Sequence, residues 1–248
     1  MDSRIDKEIN FQNNRVTSDD EAVRKYQHLI SEEHEYLNSL LEDVKDKKIL
    51  TMGCSTGGVT PFARKGAWVL GIDISNEALK KLNRSIKKEH LEDSGFVLLS
   101  DCEHLSVKKK SFDIILFFGV LHHLDIEKTM AQCHEVLKDD GKIIMAEPLG
   151  LHPVIWIYRK LTPGLRTEFE HPLVPSDFKT IDSLFKITDF KAFCLTSVFS
   201  LAGLILFRSD YLYKKLKNLF NGFDSFLFKI MPFLKYYAWA AVITLKKK

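Results

Sequence analysis

The chain has 248 residues, 45% of them hydrophobic and 28% charged, which suits one large α/β domain with insertions and argues against wholesale disorder. A net charge of +3 is too small to make nucleic acid the expected partner. The four cysteines, Cys54, Cys102, Cys133 and Cys194, lie far apart with no C-x-x-C pair, so neither a zinc cage nor a disulfide framework is indicated and a reducing, cytoplasmic setting fits best.

The opening MDSRIDKEIN lacks the apolar run of a signal peptide. Ser18-Asp19-Asp20-Glu21 reads as a capping box that starts a helix. Val23, Tyr26, Leu29, Ile30, Leu37, Leu40 and Leu41 follow at roughly helical spacing. A helix over 18–43, within an N-terminal lid of residues 1–44, is therefore expected. Next come a strand at 47–53, a short helix near 59–65, a strand at 68–75 and a helix at 76–90 with Leu79, Leu82 and Ile86 on one face. Strands at 96–99 and 112–118 precede a helix at 125–138, which Asp139-Asp140-Gly141 should stop before a strand at 142–146. Strict alternation of strand and helix predicts buried parallel strands joined by crossover helices.

Beyond Glu147 the rhythm breaks. Pro148, Pro153, Pro163, Pro172 and Pro175 mark an inserted cap over 149–180 with one or two short helices. A strand is expected at 185–195 and a last one at 237–245, with a helical insertion over 196–236 between them. Phe223, Phe226, Leu227 and Ile230 follow the i, i+3, i+4, i+7 rule there. The stretch 196–245 holds 12 of the 28 aromatic residues and six Lys/Arg against two Asp/Glu. That mix suits helices packed over the sheet, and membrane-surface association is the second reading. The nearly charge-free stretches 192–207 and 238–245 are too short for a bilayer span.

Three landmarks carry chemistry. The run Leu50-Thr51-Met52-Gly53-Cys54-Ser55-Thr56-Gly57-Gly58 sits between a strand and a helix, where small residues let a ligand approach the backbone and helix N–H groups. Asp73 ends the next strand 20 residues after Gly53, the place where a carboxylate accepts both hydroxyls of a ribose. Asp101-Cys102 follow the third strand, where a carboxylate can accept from an adenine amino group. The bland alternatives are a plain tight turn for the glycines and a turn cap for Asp101.

The runs LTMGCSTGG, GIDIS, SDCEHLSVKKKSFDIILFFGVLHHL and EVLKDDGKIIMAEP resemble the class I S-adenosylmethionine-dependent methyltransferase family, in its small-molecule branch, over about 100 residues from Lys47 to Pro148. The resemblance implies a Rossmann-like three-layer sandwich with a mostly parallel seven-stranded sheet and an antiparallel last strand. It implies S-adenosyl-L-methionine as cofactor, held by Gly53, Cys54, Ser55 and Gly57, with Asp73 and Ile74 at the ribose, Asp101 and Cys102 at the adenine, and Phe118, Gly119 and His123 beside it. Thr51 stands where the family usually has an acidic residue, and Ser55 where it usually has glycine.

Methyl transfer needs an aligned nucleophile and excluded water, plus a general base when the nucleophile is a hydroxyl. His122, His123 and His171 are the candidates, with His152 behind them; Glu170 beside His171 is a possible orienter. In the cap, Tyr158, Arg159, Arg166 and Glu170 are expected on the acceptor side. The arginines either grip an anionic acceptor or order the loop against Glu168 and Glu170. No metal-ligand spacing is read. The expected function is methyl transfer to oxygen, with nitrogen second, of a small-molecule acceptor that is anionic or lipidic. The alternatives are a nicotinamide oxidoreductase, disfavoured because Ser55 would obstruct a pyrophosphate, and a non-catalytic module at a membrane surface.

Overall fold

A computed structural model describes residues 3–17, 31–54 and 58–248. Its strands come from apolar runs with few interruptions, such as FDIILFF. Alternate residues of such a run point to opposite faces, and here both faces are covered. Leu50, Ile115, Phe117, Ile143 and Met145 pack into one buried cluster, while their neighbours Ile49, Ile114, Leu116 and Ile144 pack into another across the sheet. Burying one such side chain contributes about 1.5–3 kcal/mol.

The strands are β1 (Lys48–Met52), β2 (Trp68–Asp73), β3 (Gly95–Leu99), β4 (Phe112–Phe118), β5 (Leu137–Pro148), β6 (Phe185–Phe193) and β7 (Ala240–Lys247). They form one sheet in the order β3-β2-β1-β4-β5-β7-β6. β1 to β5 pair in parallel, and β7 runs antiparallel to both β5 and β6. The expected three-layer architecture with its antiparallel last strand is thus present.

The helices are α1 (Ser3–Thr17), α2 (residues 31–39), α3 (Thr60–Ala63), α4 (Asn76–Lys88), α5 (Ile126–Val136), α6 (Pro153–Leu161), α7 (Pro175–Leu184), α8 (Leu201–Ile205) and α9 (Asp210–Ile230). α4 shows why they form where they do. Ser75 caps it by accepting from the Ala78 N–H (3.1 Å), Glu77 sits in its first turn, and Lys87 and Lys88 sit in its last. Its buried residues Ala78, Leu79, Leu82 and Ile86 form one stripe. α6 and α7 each begin with a proline, whose missing N–H costs nothing in the first turn.

One expectation lies outside the described residues and two details differ. The expected capping box at Ser18 and Glu21 is among residues 18–30, which are not described; α2 falls in the second half of the expected 18–43 helix, with Leu37 fully buried. α1 lies within the expected N-terminal helical lid of residues 1–44 but was not placed as a helix of its own. Asp139-Asp140-Gly141 does not separate helix from strand: α5 ends at Val136 and β5 runs through the acidic pair to Pro148. The register with β4 shifts between the Phe112–Leu137 and Ile114–Lys142 pairs, so the polar run is taken up as an irregularity within the strand.

All four cysteines are buried and free. Burial pushes the Cys102 and Cys194 thiols up to about 12 and raises those of Cys54 and Cys133 as well. Among the described residues no helix is long and apolar enough to cross a membrane.

Candidate active site

The strand order reverses between β1 and β4, and the connections leaving their carboxyl ends must part there, opening a crevice. Gly53 ends β1 with φ of 65° and Gly119 follows β4 with φ of 60°, both in the left-handed region that a glycine adopts without strain. A Cβ on Gly53 would lie 2.6 Å from Val120 Cγ2, so the β1 and β4 turns approach as closely as they do only because the side chain is absent. Both the Gly53 and Cys54 N–H groups donate to Ile72 O (2.8 and 3.1 Å), tying the β1 turn to β2. Thr51 is fully buried and donates through Oγ1 to Gly58 O (2.8 Å), closing the loop. Ser55 and Gly57, both expected at the cofactor, lie outside the described residues.

Along the same edge, Asp73 ends β2 and Asp101 lies just past β3. Asp73 is buried and accepts from the Ser75 N–H (2.8 Å). Asp101 accepts from the Glu103 N–H (2.9 Å) and sits 3.0 Å from His104 Nδ1, so its turn-capping role is real. Ile74 and Phe118 are half-buried and Gly119 is exposed. Cys54 and Cys102 are in the core, so a contact with a ligand would have to come from their backbone. α1 approaches this edge: Asn13 accepts from Ser75 Oγ (2.6 Å), and Arg4 donates to the buried Glu103 (2.5 Å).

The histidines lie beyond β4. Leu121–His123 form a 3-10 turn, fixed by Glu147 from β5, a fully buried carboxylate. Glu147 accepts from the N–H groups of Val120 (3.0 Å) and Leu121 (2.8 Å) and from His122 Nδ1 (2.7 Å). A carboxylate only accepts, so His122 donates from Nδ1, and in the neutral ring Nε2 is the atom that keeps a lone pair. The His123 ring lies 4.2 Å from that of His122, with its Nδ1 3.4 Å from Glu8 Oε2 of α1. Thr167 of the cap donates to the same Glu8. Burial acts to raise Glu8, but its contacts with His123 and Thr167 and the nearness of His122 outweigh it and hold the carboxyl below its usual value. Glu33 of α2 is buried too; burial first, then the charge of Glu147, pushes it up to about 8.

The cap returns to this spot through backbone bonds. The His171 N–H donates to His122 O (2.6 Å), Leu173 pairs with the end of β5, and Glu170 is thereby brought within 4.8 Å of both histidine rings' ligating atoms. His171 and Glu170, expected as a base and its orienter, face different partners. Glu170 accepts from Arg159, whereas His171 is mostly exposed with Nε2 3.2 Å from Asp177. His152 is also displaced from chemistry: it caps α6 by accepting from the Ile155 N–H (3.3 Å), and its other nitrogen meets Leu195 O (2.9 Å).

Of the two arginines, Arg159 makes the expected loop-ordering bond to Glu170. Arg166 does not pair with Glu168; it donates to the carbonyls of Arg159 (2.6 Å) and Thr162 (2.7 Å), which the end of α6 leaves without partners. Glu168 pairs instead with Lys7 of α1, and Tyr158 is exposed. The sequence reading missed Glu8, Glu33, Glu147 and Asp224. Asp224, buried on α9, accepts from the N–H groups of Leu195 (3.0 Å), Thr196 (2.7 Å) and Ser197 (3.2 Å), and so fastens the helical insertion to the end of β6. Only Glu147 carried a signal, a carboxylate closing an apolar strand. A separate cavity of about 610 Å³ between α2, β6 and α9, lined by Glu32, Tyr36, Phe193 and Asp224 among others, contains none of the crevice or histidine residues.

Residues 50–145 match a family model described as "Methyltransferase domain". An uncharacterized protein of Methanocaldococcus jannaschii is 30% identical over 125 residues, covering 50% of this chain and 45% of that one. Demethylmenaquinone methyltransferase of Lactobacillus johnsonii is 28% identical over 46% of this chain and 51% of its own length. The chain thus spans about half the length of these two relatives. Among solved structures, geranyl diphosphate C-methyltransferase from Streptomyces coelicolor, in complex with Mg2+, geranyl diphosphate and S-adenosyl-L-homocysteine, superposes with a TM-score of 0.64 at 14% identity, covering 90% of this chain and 82% of that one. At that identity the likeness speaks for the fold.

Proposed function

We propose that this chain, whose residues 50–145 match a methyltransferase domain, is a class I S-adenosylmethionine-dependent methyltransferase and transfers a methyl group from S-adenosylmethionine to oxygen, with nitrogen second, of a small-molecule acceptor. The observation that carries the reading is the placing of Asp73 beside the Gly53 turn at the β1–β4 reversal. Successive groups along that edge, Asp101, Asp73, Gly53 and Gly119, match the order of adenine, ribose and amino-acid portions of the cofactor. The donor set suits it: carboxylates accept from an amino group and a diol, and a turn without side chains admits the rest. We assign Gly53, Cys54, Ser55, Gly57, Asp73, Ile74, Asp101, Cys102, Phe118 and Gly119 to this half of the site. α1 and α2 belong to an N-terminal lid that excludes water from it.

The bound cofactor supplies a methyl group on a cationic sulfur, which departs as a neutral thioether. What the chain must add is alignment of the acceptor and care of its proton. The His122–His123 pair supports that role: Glu147 fixes the His122 ring and leaves its Nε2 able to accept the proton of a hydroxyl. His171, exposed and turned to Asp177, is not part of this machinery. Glu170 and Arg159 line the acceptor side, and Arg166 shapes it by capping α6. The relative named demethylmenaquinone methyltransferase supports a small, lipidic acceptor, and Arg159 on the acceptor side supports an anionic one.

The test is thermal. S-adenosylhomocysteine at 100 times its Kd should stabilise the protein by about 2.7 kcal/mol, because a ligand selective for the native state acts by mass action. NAD should leave Tm unchanged. Stabilisation by NAD alone overturns the reading in favour of a nicotinamide enzyme.

A further inference from the structure

The histidine pair and the cap glutamate together form more than an acceptor contact. His122, His123 and Glu170 each present one ligating atom, and these atoms lie within 4.8 Å of one another, close enough for small side-chain shifts to bring them onto one ion. Both histidines are buried and Glu170 is largely so. The surroundings follow the pattern of metal-binding imidazoles, in which the ring nitrogen away from the ion faces a carboxylate that fixes the tautomer. His122 Nδ1 donates to Glu147, and His123 Nδ1 lies 3.4 Å from Glu8, without a well-formed hydrogen bond among the described residues. Glu170 in turn is steadied by Arg159.

The charges fit as well. Three carboxylates face the two rings, Glu8, Glu147 and Glu170, against one guanidinium, Arg159, which leaves two negative charges when the imidazoles are neutral. Buried charge of that size calls for compensation, and a divalent cation supplies it.

We propose that His122, His123 and Glu170 bind a divalent transition-metal ion of the zinc type, with an open coordination position toward the acceptor side of the crevice. Two imidazoles and one carboxylate are the ligand set of an open catalytic zinc site and suit zinc, iron or cobalt. They do not suit magnesium, which prefers an all-oxygen shell, so the ion differs in kind from the Mg2+ of the geranyl diphosphate enzyme. The site rests on the methyl-transfer reading only for what the open position would hold; with an ion bound, the His122 Nε2 lone pair would be taken by it, so the proton-accepting role given to that atom above belongs to the metal-free protein.

Metal-stripped protein should be titrated with ZnCl2 by calorimetry and with CoCl2 by visible absorption, without cofactor or acceptor. One equivalent should bind, Co2+ should develop ligand-field bands, and excess MgCl2 should displace neither. His123→Ala and Glu170→Gln should each weaken Zn2+ by more than tenfold. Glu147→Gln, a change at a positioning residue, should weaken it by roughly 10–100-fold. Should His123→Ala fail to fold, Glu170→Gln on the cap loop carries the test alone, with far-UV circular dichroism as the check. Absence of stoichiometric binding, or undiminished binding in Glu170→Gln, overturns the proposal. S-adenosylhomocysteine binding measured on the same metal-stripped protein keeps the two readings apart: if it binds and zinc does not, only the metal site falls; if zinc binds and it does not, only the methyl-transfer reading falls.

Discussion

The cofactor edge and the shell over it are built by different means. Along the edge, function rests on strand ends and backbone conformation: Gly53 and Gly119 at positive φ, and Asp73 and Asp101 at the ends of neighbouring strands. The shell of α1, the cap and α9 rests on side-chain pairs between distant parts of the chain, such as Arg4 with Glu103, Lys7 with Glu168, Thr167 with Glu8 and Asp224 with the 195–197 turn. A strand-end device tolerates no added atom but asks little of remote sequence. A shell of polar pairs can be rearranged one contact at a time, which is how one scaffold can serve many acceptors.

Substitutions at the two regions should therefore fail differently. Gly53→Ala should do the most harm. Its Cβ would meet Val120 at 2.6 Å, and overpacking costs about 1–3 kcal/mol beyond about 1–2 kcal/mol for the left-handed conformation. Denaturant unfolding should show a loss of about 3 kcal/mol; a loss under about 1 kcal/mol would mean that the two turns are not rigidly apposed.

Asp224→Ala should come next in the shell. Three backbone N–H groups lose their acceptor, and one buried unsatisfied donor costs about 1–3 kcal/mol, so a fall of about 2–3 kcal/mol is expected with partial hydration. Hydrogen exchange should localise the loosening to α8 and α9 and spare β1 to β5. Uniform loosening would show that the shell and the sheet are one cooperative unit.

Asp73→Ala should cost about 1.5–3 kcal/mol in S-adenosylhomocysteine affinity, the worth of hydrogen bonds to a charged group, while leaving the unfolding curve nearly unchanged. Unchanged affinity by calorimetry would show the ribose to be held elsewhere.

A pH-dependent effect belongs to the joint between the regions, Glu33 on α2 beside Glu147 on β5. Burial and the Glu147 charge raise Glu33 to about 8, so the folded state keeps a proton that the unfolded chain gives up in the ordinary carboxylate range. Stability should therefore fall as pH rises from that range to about 8 and be flat beyond it, with a slope of at most about 1.4 kcal/mol per pH unit from this group. Glu33→Gln should match wild type at pH 4 and exceed it in Tm at pH 8. An equal Tm difference at both values would remove titration as the cause.

The same division explains what the sequence disclosed. Strands β1, β2 and β4 and helix α4 carry their signals locally, as apolar runs, a Ser75 cap and a Leu79–Leu82–Ile86 stripe, and they lie where those signals put them. Asp73 is legible for the same reason, since its position depends on the strand before it. α1 is not, because among its described residues the one it buries is Glu8, and its partners are 62 to 161 residues away, beyond any periodic pattern. The meeting of Glu170 with His122 and His123 is hidden likewise: it depends on the His171 N–H reaching His122 O across the cap. The β5 boundary was misread because Asp139-Asp140-Gly141 has turn composition, yet pairing with β4 absorbs it as a strand irregularity.

The four buried thiols make the protein a timer of its own opening. A thiolate is what reacts, and with each thiol raised by burial a reagent such as a maleimide must wait for the chain to open. Cys54 and Cys102 sit under the Gly53 turn, whereas Cys194 lies at the end of β6 near Asp224. Labelling followed peptide by peptide thus gives separate clocks for the crevice and for the shell. A ligand seated on the glycine turn should slow the first clock and leave the second running at its former rate.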